Sequence, residues 1–191
     1  MTPFDYFMIF VTIIIALAVE SVARDLDVMI SAKRRLRWHW MAPATAFNSI
    51  LLILSQFWLF WSLHAHSPFN NFLIALAPIG TMLVLFLMTS ATLPSQIPEA
   101  GLDLKQWYFD NCSRFWGLVI ALMGCFIVTN TLVFLIHGVS GPQPLIFIGQ
   151  CVITAAWCAS LIWSRAAWWH GTSIVAQIAI NLAEFGSLTL R

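Results

Sequence analysis

Charge is what this 191-residue chain has least of: Asp, Glu, Lys and Arg make up 9% of it, against 60% apolar residues. A water-soluble domain carries about a quarter charged residues. So little charge excludes a soluble monomer, and the high hydrophobicity excludes disorder. The net charge of +1, without a clustered basic face, leaves no case for nucleic-acid binding. Close cysteine pairs are missing too. Cys112, Cys125, Cys151 and Cys158 stand apart, three of them in apolar runs, and read as small buried hydrophobes rather than a disulfide or metal framework. H-E-x-x-H, P-loop and G-x-G-x-x-G motifs are absent, as is any Ser/His/Asp or Cys/His arrangement at interpretable spacing. Nothing in the sequence supports an enzyme.

What is there is a series of long apolar segments. About 20 helical residues cross a hydrocarbon core of about 30 Å. Six candidates meet that length: Pro3–Ala23, Met41–Leu63, Phe72–Leu93, Phe115–Ile136, Leu145–Trp163 and Ser173–Leu190. Most links between them are short and turn-forming, and the alternating pattern of a barrel is missing. The expectation is an all-α polytopic transmembrane helix bundle, one membrane domain over residues 1–191 with six spans. Five spans plus an amphipathic C-terminal helix is the runner-up. The first segment lacks a basic start and carries Asp5, so it reads as an anchor rather than a signal peptide. Pro78-Ile-Gly80 predicts a kink in the third span.

Positive charge orients the bundle. With the N-terminus outside, Arg24, Lys33, Arg34, Arg35, Arg37, Lys105, Arg114 and Arg165 fall on the inner side, and only Arg191 outside. The basic arm Lys33, Arg34, Arg35 and Arg37 sets topology on this reading, and can also contact anionic lipid headgroups. It can alternatively dock against Glu99, Asp103 and Asp110 of the next inner loop. Glu20 and Arg24, with Asp27 on the same helical face, predict an ion pair at the inner boundary.

The last segment is the most informative. Ser173, Gln177, Asn181 and Glu184 fall at steps of four, four and three, on one stripe of a helix that is otherwise apolar. An interfacial helix normally carries Lys or Arg on such a stripe. A carboxylate there instead predicts a spanning helix with its stripe turned into the bundle. Counted from the span ends, Glu184, Asn130, Gln150 and Gln56 share one layer about 8–11 Å below the outer edge. Two readings follow. Such a layer is either a hydrogen-bonded clamp that fixes helix packing, or an ion or proton pathway through Gln56, Asn130, Gln150, Gln177, Asn181 and Glu184. The corresponding function is a small ion channel or ion- or proton-coupled transporter, with a non-catalytic accessory or assembly subunit of a larger membrane complex as the alternative. A homo-oligomer or membrane-complex subunit is expected. His64, His66 and His137 lie at outer ends and His39 and His170 at inner ends, in links or at boundaries. A b-type haem is therefore a remote alternative, and no cofactor or metal is expected.

The runs Arg35-Leu-Arg-Trp-His-Trp40, Gln56-Phe-Trp-Leu-Phe-Trp61 and Trp107-Tyr-Phe-Asp-Asn-Cys-Ser-Arg-Phe-Trp116 resemble a pattern in uncharacterised bacterial inner-membrane proteins. The likeness covers roughly the first two-thirds of the chain. It implies a multi-pass protein of the bacterial inner membrane with cytoplasmic basic loops, and implies no function.

Overall fold

A computed structural model describes residues 3–32, 35–62, 72–136, 138 and 141–189. Lys33, Arg34, His64, His66, His137 and Arg191 lie outside them. The described residues form helices α1 (Pro3–Ser31), α2 (Met41–Ser62), α3 (Phe72–Ser90), α4 (Leu104–Ile136), α5 (Gln143–Trp163) and α6 (Ala167–Thr189). Two-residue strands β1 (Leu36–Arg37) and β2 (Leu102–Asp103) pair in parallel, Leu36 opposite Leu102 and Arg37 opposite Asp103.

Among the described residues, four helices are long and apolar enough to cross a membrane: Phe4–Ser31, Met41–Trp61, Leu104–Leu135 and Gln143–Trp163. In α3 the described apolar stretch, Leu76–Ser90, is shorter, and α6 is not among the four. The helices run beyond the expected spans at three places. Helix α1 continues two turns past Ala23, and α6 starts at Ala167 rather than Ser173. Helix α4 starts at Leu104 rather than Phe115, so the polar stretch taken as a link is its first three turns. Apolar length marks what suits a hydrocarbon core, whereas a helix runs on wherever its cap allows. Here Asp103 caps α4, its Oδ1 accepting from the backbone N–H groups of Lys105 (2.9 Å) and Gln106 (3.2 Å). Pro78 sits inside α3, which continues through it.

Helix α4 packs along α5 and α3, α2 along α6, and α1 along α3 and α2. Phe7 of α1 meets Phe60 of α2 edge-to-face, ring centroids 5.5 Å apart. Much of the outward surface is apolar, as at Ile9, Ile13 and Leu17 on α1. Such a surface fits contact with hydrocarbon better than with water.

The described part of the basic arm, Arg35 to Arg37, lies against the loop before α4. Arg37 lies 3.4 Å from Asp103, beside the β1–β2 pairing. Gly101 allows the close approach. Its φ is +94°, and a Cβ there would stand 2.9 Å from the Arg35 carbonyl oxygen. Trp40 then packs on Gly171 of α6, where an added Cβ would come within 3.1 Å of the indole. Burial, with Lys105 adding to it, holds the His39 ring below the ordinary histidine range.

Candidate functional site

Helices α2, α4, α5 and α6 line an open cavity of about 320 Å³. Each helix contributes residues spaced mainly three, four or seven apart, the repeat that keeps residues on one face, with Ile180 and Asn181 adjacent on α6. From α2 come Asn48, Leu52, Gln56 and Leu59; from α4, Phe115, Val119, Met123, Phe126 and Asn130. Helix α5 adds Phe147, Thr154 and Trp157, and α6 adds Gln177, Ile180, Asn181 and Glu184. Met88 of α3 completes the wall. Trp116, Cys158, Leu161 and Ile174, each within about one helical turn of a wall residue in sequence, are 1% exposed or less.

Of the six residues the sequence assigns to a polar pathway, Gln56, Asn130, Gln177, Asn181 and Glu184 line this one space. Gln150 does not. It is exposed on α5, outside the cavity wall, so equal depth did not bring it to the same face.

The residue that organises the polar wall is Asn48, which the sequence reading passed over. It is buried and bridges two residues of the α6 stripe. Its Nδ2 donates to Gln177 Oε1 at 3.1 Å, and its Oδ1 accepts from Asn181 Nδ2 at 2.8 Å. The Nε2 of Gln177 lies 3.9 Å from the Cys158 sulfur. Ser173, first in the stripe, accepts from Trp157 Nε1 at 3.0 Å. The stripe thus faces α2 and α5. Asn130 donates to the Phe126 carbonyl of its own helix at 3.0 Å, leaving its side-chain oxygen as an acceptor at the wall. Glu184 lies on the same wall and is exposed.

Beneath the cavity lies a second buried polar group. His170, expected at an inner end, lies in the first turn of α6 and is fully buried. Its Nδ1 is 2.9 Å from Tyr108 Oη, and its Nε2 is 2.9 Å from the Ser164 carbonyl. Trp116 Nε1 donates to Tyr108 Oη at 3.2 Å. A carbonyl can only accept, so Nε2 carries the proton, Nδ1 accepts, and the Tyr108 hydroxyl donates. Every member is satisfied with a neutral imidazole. Both ring nitrogens are engaged.

The expected Glu20–Arg24 pair is present, with Asp25 as a second carboxylate beside the guanidinium. Arg24 lies 3.6 Å from Glu20 and 3.7 Å from Asp25, whereas Asp27 points to the exposed surface. Asp25 is 2% exposed and its Oδ1 accepts no hydrogen bond. Among the described residues, no group of three His, Cys, Asp or Glu side chains could hold a metal.

No protein family matches the chain, and neither a curated protein nor a solved structure is significantly similar to it.

Proposed function

We propose that the protein is a small multi-pass membrane carrier, an ion- or proton-coupled transporter, whose working site is the cavity between α2, α4, α5 and α6. One observation carries this reading: Gln56, Asn130, Asn181 and Glu184, from three helices, converge on one space of about 320 Å³. In a bilayer, amide and carboxyl groups facing lipid are costly, and those facing a cavity mark solute pathways. The tight burial of Trp116, Cys158, Leu161 and Ile174 beside the wall favours a carrier over an open channel, because a channel needs a continuous wet path. Glu184 is the titratable member and attracts cations or carries a proton. The amides orient the solute.

The proposal includes six spans with both termini outside, in a bacterial inner membrane. The length of α6 alongside α2 supports a sixth span. The basic arm then faces the cytoplasm, where Arg35 and Arg37 can also meet anionic lipid.

Reconstitution in liposomes tests this reading. A pH gradient should drive proton-coupled flux through the wild type, and Glu184→Gln should abolish the pH response. Unaltered flux in that variant would remove Glu184 from the site. A second reading, an accessory subunit silent on its own, is favoured by the Asn48–Gln177–Asn181 clamp, whose groups satisfy one another. On that reading no flux is seen and the chain co-purifies with partner subunits.

A further inference from the structure

Resting on the carrier reading, we infer that the cavity selects a compact organic cation, an amine or quaternary ammonium with an apolar body, over inorganic ions. Among the described residues of the wall, the one charged side chain is the carboxylate of Glu184, and none is Lys or Arg. Its sign favours a cation and disfavours an anion.

The oxygens of the wall do not suit a metal ion. Inorganic cations such as Ca²⁺ or Mg²⁺ need about six or more oxygens converging within about 2.6 Å. Two of the amide oxygens here, Asn48 Oδ1 and Gln177 Oε1, already accept hydrogen bonds from neighbouring side chains. The rest are spread over separate helices. A dehydrated inorganic ion would find too few ligands, and a hydrated one would lie against largely apolar walls.

An organic cation has the complementary demands. It is weakly hydrated, and its charge is stabilised by aromatic faces as well as by a carboxylate. Phe115, Phe126, Phe147 and Trp157 supply rings from α4 and α5, and Met123 adds a polarisable wall. Glu184 and Asn181 supply the polar end, one turn apart on α6. The volume, about 320 Å³, is at the small end of the range for small-molecule pockets, which runs to about 1,000 Å³. That limits the body to about the size of one substituted ring.

Three near-isosteric probes separate charge from shape: phenyltrimethylammonium, the neutral tert-butylbenzene and the anion benzenesulfonate. Equilibrium binding is measured on the purified full chain in nanodiscs, alongside Na⁺ and K⁺. The wild type should bind phenyltrimethylammonium at least about tenfold more tightly than either other probe. Glu184→Gln should remove that preference, and Phe147→Leu should weaken cation binding about threefold to tenfold, as loss of a ring face does. Glu184→Lys should turn the preference towards benzenesulfonate, which an unfolded variant would not do. Equal binding of the three probes with proton-coupled flux intact would overturn the cation assignment alone. Saturable competition by Na⁺ or K⁺ at the same site would overturn it as well. Binding of no probe, together with absent flux, would overturn the carrier reading and this inference with it.

Discussion

Asn181 on α6 donates a 2.8 Å hydrogen bond to the side-chain oxygen of Asn48 on α2, tying the two helices together at the wall of the cavity. Asn48 returns a bond to Gln177, so one buried amide holds two members of the α6 stripe. Interhelical hydrogen bonds in membrane bundles contribute about 0.6 kcal/mol each on average. Asn48→Ala should therefore lower stability by about 1 kcal/mol, measured by denaturant titration of the purified protein. A double-mutant cycle with Asn181→Ala should show positive coupling, because the second change removes a bond already lost. Additive effects would mean that the bridge is not formed.

The Tyr108–His170 pair beneath the cavity predicts a larger effect. Tyr108→Phe strips the hydroxyl that donates to His170 Nδ1 and accepts from Trp116, leaving both buried nitrogens unpaired. An orphaned buried polar group costs about 1–3 kcal/mol, so this variant should be among the least stable single substitutions. Thermal unfolding of Tyr108→Phe beside the wild type checks it. An unchanged midpoint would show that the network does not support the fold.

At the head of α4, Asp103 predicts a pH dependence with a definite sign. Hydrogen bonds from the Gln106 and Lys105 backbone N–H groups, with Arg37 and His39 nearby, hold its carboxyl below the ordinary value of 3.8. A carboxyl depressed by folding contributes its stabilisation above its unfolded value and loses it as pH falls through the folded one. Amide hydrogen exchange at Lys105 and Gln106 should therefore be protected at pH values above 3.8 and lose protection progressively below it. In Asp103→Ala, the extra protection and its acid dependence should both be absent.

These relationships show what the order of residues does and does not make visible. The α6 stripe stood out because polar residues at steps of four, four and three interrupt an apolar run, and helical periodicity alone places them on one face. Asn48 was hidden by its neighbours. Thr45 and Ser49 also interrupt α2, yet their hydroxyls bond backward to the Ala42 and Thr45 carbonyls and carry no tertiary information. The available signal was the stripe Asn48, Leu52, Gln56 and Leu59. Depth counted from span ends misplaced Gln150, since it fixes a level and says nothing about the face. The burial of His170 was not visible, because the apolar run begins only at Ser173. A buried imidazole needs two polar partners, and Tyr108, 62 positions away, could be found only from the fold.

The most direct test of the central claim is thiol labelling on opposite faces of α2 in intact membrane vesicles. Gln56 lines the cavity, and Trp58 is exposed on the outside of the helix. The cavity reading predicts that Gln56→Cys reacts with a membrane-impermeant thiol reagent while Trp58→Cys stays unlabelled. Labelling of Trp58→Cys with Gln56→Cys inert would contradict it, because the amide face would then be sealed from water and no solute could reach Glu184 by way of the cavity.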